Sequence, residues 1–187
     1  GKLWGWGTNT LGQLGTPNGL AAVQSVTAGA FHTVALLTNG TVRAWGDNRY
    51  GQGAVPVELT SAIAVAAGHF HSVALRADGS VVCWGDDSNL QSSVPPGLSG
   101  VVAIAAGATH TVALKSDGSV VCWGSNDRGQ AAAPANLPRI ARIAAGDSHT
   151  LALSRLGAVI AWGDTALKQV PAPPRMVPAI AISAGSG

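Results

Sequence analysis

The chain has 187 residues, of which 47% are hydrophobic and only 11% are charged, and its formal net charge is +2. Charged residues usually make up about a quarter of a globular domain, so this composition predicts an ordered, mostly buried chain and excludes intrinsic disorder. The basic residues are scattered singly, and no apolar stretch reaches the roughly 18 residues of a membrane span, so neither a nucleic acid nor a membrane is expected as a partner.

One phrase recurs every 39 residues along the whole chain. It begins with Trp-Gly, has a Gln seven residues after the Trp and a Pro eleven after it, and ends with Ala-Gly. Repeats of this length indicate stacked supersecondary units, so residues 1–187 are predicted to form a single repeat domain or a fragment of one. The Trp residues that open the phrase are Trp6, Trp45, Trp84, Trp123 and Trp162. The matching Gln residues are Gln13, Gln52, Gln91, Gln130 and Gln169.

Residues 101–139 show the predicted elements of one repeat in chain order. Val101–Gly107 is short, apolar and rich in small residues, and His110–Lys115 is a second short apolar run. Ser116–Gly118 is a hairpin signal, because Gly supplies a positive φ. Ser119–Trp123 is a third run, rich in β-branched and aromatic residues. These three runs are predicted to be antiparallel strands.

The rest of the repeat consists of a loop and a possible fourth strand. Gly124–Gly129 is made of turn formers, Gln130–Ala133 is a short fourth run, and Pro134 closes it because proline cannot donate to a strand ladder. The strands are apolar on both faces, so both faces are expected to be covered. Repeated four-stranded sheets of this kind predict an all-β fold, a β-propeller with blades of about 39 residues. The alternative is a β-solenoid.

The repeat phrase resembles that of the regulator of chromosome condensation family. Its residues Ala-Gly-x-x-His-Ser/Thr-Val-Ala-Leu, Asp-Gly and Trp-Gly stand here at Ala67–Leu75, Asp78–Gly79 and Trp84–Gly85. The resemblance covers essentially the whole chain and implies a propeller, usually of seven blades. The short period is similar to that of bacterial members such as the propeller-type β-lactamase-inhibitory proteins, which favours a secreted or cell-surface location. Leu90 and Lys168 depart from the pattern, because they replace the Gly before Gln.

The sequence falls one strand short of five repeats. We therefore expect four full blades and one split or incomplete blade. The resemblance favours part of a seven-bladed propeller, which is expected to self-associate through its open blade faces. The alternative is a closed five-bladed ring in which Leu3–Trp6 complete a blade begun by Ala179–Ala184.

Hairpin connectivity places the Ala-Gly-x-x-His and Trp-Gly-x-Asn loops together on one face of the propeller. Both Phe residues and the only Tyr of the chain fall in these loops, and aromatic residues beside Arg are typical of binding hot spots. Alternatively, the two Phe side chains only plug the channel mouth. The candidate partner-binding residues are Phe31, Asn48, Arg49, Tyr50, His69, Phe70, Asp87, Asn89, Asp127 and Arg128.

The recurrent histidines and the cysteines are expected to be structural. A His present in every copy is more simply part of the packing, with its ring bonded to a neighbouring loop, than a metal ligand. Cys83 and Cys122 occupy equivalent positions on adjacent blades, which would be about 10 Å apart, too far for a disulfide. No catalytic or phosphate-binding motif occurs, so neither an enzyme nor a cofactor is expected.

The sequence therefore predicts a non-catalytic scaffold that presents one propeller face to a protein partner of unknown identity. By the resemblance, the alternatives are a guanine-nucleotide exchange factor-like regulator of a small GTPase and a propeller-type enzyme inhibitor. An enzyme would need a deep pocket with convergent polar groups, and the sequence offers no such set.

Overall fold

A computed structural model describes residues 3–20, 22–164 and 178–185. Within these ranges every regular element is a β-strand, and no helix is long and apolar enough to cross a membrane. Gln169 and Lys168 lie outside the described residues. The strands are β1 (Val23–Ala28), β2 (His32–Leu37), β3 (Val42–Gly46), β4 (Ala62–Ala67), β5 (His71–Arg76), β6 (Val81–Gly85), β7 (Val101–Ala106), β8 (His110–Lys115), β9 (Val120–Gly124), β10 (Ile140–Ala145), β11 (His149–Ser154) and β12 (Val159–Gly163).

Consecutive strands pair in threes to form four antiparallel sheets, which are the blades of a propeller: β1-β2-β3, β4-β5-β6, β7-β8-β9 and β10-β11-β12. We number these sheets blades 1 to 4 in chain order. The all-β blade architecture predicted from the repeat is therefore confirmed. The middle strand of each blade is almost fully buried, since it is covered by a neighbour on both faces.

The Asp-Gly hairpins form as the sequence predicts. In blade 2 the amide of Arg76 donates to the Ser80 carbonyl at 2.9 Å, and the amide of Gly79 donates to the Arg76 carbonyl at 3.0 Å. Gly79 has a φ of +80°, a conformation that costs glycine little because it lacks a Cβ. Asp78 completes the turn, since its Oδ1 accepts from the Ser80 amide at 2.9 Å.

The predicted fourth strand is not formed, so each described blade has three strands. In Gln130–Ala133 the backbone is used in turns, because the Ala132 amide donates to the Gly129 carbonyl at 3.1 Å. The Gln130 carbonyl accepts from Trp162 Nε1 at 3.0 Å and from Thr150 Oγ1 at 2.9 Å. These bonds take up the Gln130 carbonyl and the Ala132 amide, so the segment binds blade 4 through its Gln instead of extending the ladder.

Adjacent blades are joined by a repeated chain of hydrogen bonds. Between blades 2 and 3, His71 Nε2 lies 2.9 Å from Thr111 Oγ1, and that hydroxyl donates to the Gln91 carbonyl at 2.9 Å. Trp123 Nε1 donates to the same carbonyl at 3.0 Å. The hydroxyl proton is committed to Gln91, so His71 is the donor through Nε2. Equivalent imidazole–hydroxyl pairs are His32–Ser72 and His110–Thr150, both at 3.0 Å.

The innermost strands approach each other so closely that only glycine fits at their ends. A Cβ on Gly68 would collide with the His71 ring and with the Gly107 carbonyl oxygen of the next blade, and Gly146 stands in the same relation to Gly185. Gly185 itself has no neighbour of this kind among the described residues. The described blades therefore form an open arc, and neither Leu3–Trp6 nor Ala179–Ala184 is assigned as a strand. The total of seven blades stays a prediction.

Candidate functional site

The connections of each blade emerge on two opposite faces. We call the loop face the one that carries the loops directly after the first and third strands of each blade. The turn face carries the hairpins between the second and third strands and the Pro-containing segments that lead into the next blade. The aromatic cluster, defined as Phe31, Tyr50 and Phe70, lies on the loop face. Tyr50 and Phe70 have ring centroids 5.1 Å apart, and Phe31 and Phe70 are stacked at 6.2 Å. The predicted aromatic residues are thus brought into contact.

Within the cluster, Phe31 and Tyr50 are held by the backbone of two loops in blade 1. The Asp47 amide donates to the Phe31 carbonyl at 2.8 Å, so the loop after β3 is fixed to the loop after β1. Asn48 Oδ1 accepts from the Gly53 amide at 2.8 Å, and the Tyr50 amide donates to Gln52 Oε1 at 3.0 Å. Asn48, predicted as a partner contact, therefore shapes the turn that presents Tyr50.

Arg49 is fixed beside the cluster by Asp47. The Arg49 guanidinium donates through Nε and Nη2 to the Asp47 carboxylate, with distances between 2.9 and 3.1 Å. The Asp47 side chain is 3% exposed whereas that of Arg49 is 64% exposed. The hydrogen bond from Arg49 lowers the pKa of Asp47, although burial opposes that shift. Asp47 therefore holds the guanidinium in an orientation that leaves it exposed to solvent.

His69 links the cluster to the mouth of the central channel. Its ring lies edge-on to Phe70 at 6.2 Å, and its Nε2 lies 3.2 Å from Asp147 Oδ1. This contact crosses blade 3, since His69 belongs to blade 2 and Asp147 to blade 4. The backbone follows the same path: the His69 amide donates to the Ala108 carbonyl at 3.0 Å, and the Ala108 amide donates to the Asp147 carbonyl at 3.1 Å.

Below this contact lies a channel cavity of about 350 Å³. Its walls are the small residues that end the innermost strands, and His69 and Asp147 are the ionisable groups on the described part of its lining. Phe31 and Phe70 are not among the residues that line this cavity. Asp147 was missed as a site residue because its contact with His69 depends on two blades that are 78 residues apart in sequence.

The other predicted site residues lie on the loop face of blades 2 and 3, and their hydrogen bonds are made within their own loops. Asp87 Oδ1 accepts from the Ser92 amide at 2.8 Å, and the Asn89 amide donates to Gln91 Oε1 at 2.8 Å. The side chains of Asp127 and Arg128 are exposed. The structure therefore places these residues on the predicted face but outside the aromatic cluster.

The recurrent histidines are committed to the blade junctions. Burial lowers the pKa values of His32, His71 and His110 to about 4. Their Nε2 atoms contact a hydroxyl on a strand of the next blade, where a neighbouring loop was predicted. Among the described residues, no group of three His, Cys, Asp or Glu side chains is placed to hold a metal ion. Both cysteines are free, as predicted from their spacing.

Stacked antiparallel blades whose innermost strands line a channel define the chain as a β-propeller protein with a candidate binding surface on its loop face. Residues 23–52, 62–91, 101–130 and 140–166 match the family model described as the regulator of chromosome condensation (RCC1) repeat. The chain belongs to this repeat family. No curated protein sequence matches it.

Solved structures share the fold. Prp20p of Saccharomyces cerevisiae is 22% identical with a TM-score of 0.68, and the match covers 75% of this chain and 45% of that one. The ectodomain of the Physcomitrella patens receptor kinase CR4 is 27% identical with a TM-score of 0.74, covering 96% of this chain and 50% of that one. The ectodomain of the Arabidopsis thaliana receptor kinase ACR4 is 22% identical with a TM-score of 0.71, covering 97% and 65%. The chain thus spans less than two thirds of each of these relatives.

Proposed function

We propose that the chain is a non-catalytic protein-binding scaffold that presents its loop face to a protein partner. The observation that carries this proposal is the aromatic cluster, in which Phe31 and Tyr50 are 36% and 52% exposed although both contact Phe70. Aromatic side chains grouped with an exposed Arg are the residues that most often dominate binding energy. Arg49 supplies that group here, since its guanidinium is fixed and largely exposed.

The rigidity of this surface favours binding. The aromatic cluster and Arg49 are held by loop hydrogen bonds and by the bidentate contact with Asp47. Ordering side chains on association costs roughly 0.5–1.5 kcal/mol for each one immobilised. A surface that is already ordered avoids much of that cost. A small cluster such as this one can therefore bind a partner with useful affinity.

The cysteines and the recurrent histidines have environments typical of packing residues. Burial raises the pKa values of the Cys83 and Cys122 thiols, whereas a nucleophilic cysteine needs a lowered pKa. The Nε2 atoms of His32, His71 and His110 are engaged with hydroxyl groups of neighbouring blades. These features support a scaffold without catalytic activity.

The proposal is tested with the double variant Phe31→Ala/Phe70→Ala. We expect it to lose about 2–4 kcal/mol of binding energy, because truncating paired hot-spot residues has costs of this order. Partners captured by the wild-type chain would be identified by quantitative mass spectrometry, and the dissociation constant of each measured by calorimetry.

The matched control is Val57→Ala/Leu156→Ala, which removes two apolar side chains that are 98% and 87% exposed on the turn face. This control should bind as the wild type does. An unchanged dissociation constant for the aromatic variant would refute the assignment of Phe31 and Phe70.

A guanine-nucleotide exchange factor-like regulator of a small GTPase is the second candidate. Membership of the repeat family favours it, as does the fold shared with Prp20p, for which binding to Gsp1p and histones is described. A nucleotide-release assay decides between the two. Release that is accelerated by the wild type and not by Phe31→Ala/Phe70→Ala would favour exchange, and unchanged release would favour the scaffold. A propeller-type enzyme inhibitor would be a special case of the scaffold, with an enzyme as its partner.

A further inference from the structure

Charges are unevenly divided between the two faces of the propeller. Among the described residues, the loop face carries six acidic side chains, Asp47, Asp86, Asp87, Asp127, Asp147 and Asp164, and two basic ones, Arg49 and Arg128. The turn face carries more basic than acidic groups, with Arg76, Lys115, Arg139 and Arg155 against Glu58, Asp78 and Asp117. The aromatic cluster therefore lies on the more negative face.

The negative charge of the loop face is only partly compensated by its own residues. Arg49 neutralises Asp47 through a bidentate contact, and Asp147 is hydrogen-bonded to His69. Asp87 and Asp127 are exposed, and their contacts are with amide and hydroxyl groups, which leave the charge in place. Asp87 lies on blade 2, which also carries Phe70, and Asp127 lies on the next blade, blade 3.

We infer that the partner segment that docks on the loop face is cationic as well as apolar. It would place an apolar side chain against Phe31 and Phe70 and direct Lys or Arg side chains toward Asp87 and Asp127. This inference rests on the proposed function and adds the chemistry of the partner. Complementary charges around an apolar centre steer association and reject partners of the wrong sign.

The repeat supplies substitutions that remove charge with little change in structure. Asn48 and Asn126 occupy the position of Asp87 in the neighbouring loops, and each accepts the same backbone hydrogen bond through Oδ1, at 2.8 and 3.0 Å. Asp127 has Ser88 as its counterpart in blade 2. The variant Asp87→Asn/Asp127→Ser therefore removes two charges from the loop face while it keeps side chains that these turns already accommodate.

The turn face provides the matched control. Asn39 occupies the position of Asp78 and Asp117, and its Oδ1 accepts from the Thr41 amide at 3.0 Å as the aspartates do from Ser80 and Ser119. The variant Asp78→Asn/Asp117→Asn removes the same number of charges from the opposite face. Thermal melting followed by circular dichroism would establish that both double variants are folded.

The probe is a phage-displayed library of random 12-residue peptides, selected on the wild-type chain and counter-selected on Phe31→Ala/Phe70→Ala. We expect the enriched peptides to combine Lys or Arg with a large apolar residue. A synthetic copy should bind Asp87→Asn/Asp127→Ser about tenfold more weakly at low ionic strength, with a smaller dependence on salt. Its affinity for Asp78→Asn/Asp117→Asn should equal that for the wild type.

The outcomes separate this inference from the proposed function. The enriched peptides could need the aromatic cluster and yet be neutral or acidic, or they could bind Asp87→Asn/Asp127→Ser as tightly as the wild type. Either result would contradict a cationic partner and would remain consistent with the proposed protein-binding scaffold. A library from which no peptide prefers the wild type over Phe31→Ala/Phe70→Ala would contradict both.

Discussion

At the scale of single residues, the hydroxyl groups at the blade junctions accept one hydrogen bond and donate another. Thr111 Oγ1 accepts from His71 and donates to the Gln91 carbonyl, and no other hydrogen bond satisfies the His71 Nε2 proton among the described residues. All three groups are buried, so the loss of this hydroxyl leaves a buried donor without water to replace its partner. A substitution that keeps the shape of Thr111 but removes its hydroxyl is therefore not expected to be neutral.

We expect Thr111→Val to destabilise the fold by about 1–3 kcal/mol, the usual cost of an unsatisfied buried polar group. The control is Thr111→Ser, because Ser72 makes the same bonds to His32 and Gln52 in the preceding junction. It should cost at most about 0.8 kcal/mol, the value of one buried methyl group. Urea unfolding measures both free energies, and a loss for Thr111→Ser as large as that for Thr111→Val would contradict a dominant role of the hydroxyl.

At the scale of the elements, one turn carries a residue that its backbone disfavours. Leu90 has a φ of +63°, whereas the equivalent positions hold Gly51 and Gly129 at +83° and +79°. The turn is otherwise the same, since the Leu90 amide donates to the Asp87 carbonyl at 3.0 Å as the Gly51 amide does to the Asn48 carbonyl at 3.1 Å. The hydrogen bonds of the loop thus impose the left-handed conformation on Leu90.

We expect Leu90→Gly to stabilise the protein by about 1 kcal/mol, because it removes a left-handed strain of about 1–2 kcal/mol and the larger unfolded-state entropy of glycine offsets part of that gain. Leu90 is 64% exposed, so little burial is lost. The converse variant, Gly51→Leu, has free space for its side chain and should be destabilised by a similar amount. Thermal unfolding tests the pair, and a lower midpoint for Leu90→Gly would contradict the explanation.

The strands and hairpins could be predicted from sequence because their signals are local. Val120–Gly124 is rich in β-branched and aromatic residues, and Asp117-Gly118 marks the turn before it. The conformation of Gln130–Ala133 could not be predicted in this way. Whether that segment forms a ladder depends on the indole of Trp162 and the hydroxyl of Thr150, which bind the Gln130 carbonyl from the next blade.

At the scale of the whole molecule, the buried histidines should make stability depend on pH. His32, His71 and His110 have pKa values of about 4 in the folded protein instead of 6.5, because burial disfavours the charged ring. Between these two values the unfolded chain binds protons that the folded chain does not. Their contribution to stability is therefore fully present above about pH 6.5 and is lost as the pH falls toward 4.

We expect the free energy of unfolding to decrease between pH 6.5 and 4 by up to about 3 kcal/mol for each of these histidines. Hydrogen bonds from Arg49 and Ser80 lower the pKa values of Asp47 and Asp78 from 3.8, so those carboxylates contribute a loss mainly below pH 4. Urea unfolding at pH steps from 7.5 to 4 therefore isolates the contribution of the histidines. A constant free energy above pH 4 would mean that the histidines are accessible to protons in the folded state.

The candidate binding surface was predictable in outline but not in detail. Alternation of loops along the chain was enough to place Phe31, Tyr50 and Phe70 on one face. Their ring contacts and the Arg49–Asp47 pair depend on loop conformations that are set by hydrogen bonds such as that of Asp47 to the Phe31 carbonyl. The approach of Asp147 to His69 depends on the curvature of the arc, for which the sequence has no local signal.

The hydrogen bonds that join adjacent blades recur with the period of the sequence, which bears on how the chain can change its length. At the junctions that the structure describes, the imidazoles of His32, His71 and His110 reach a hydroxyl 40 residues ahead. At the junction of blades 2 and 3 the hydroxyl reaches a carbonyl 20 residues behind, and the indole reaches that carbonyl from 32 residues ahead. Duplication or deletion of one whole 39-residue unit preserves all three spacings at every remaining junction. A change in length inside a strand would instead shift its register and turn its side chains to the opposite face. The 39-residue unit is therefore the step by which the chain can grow or shrink and keep every junction hydrogen bond unchanged.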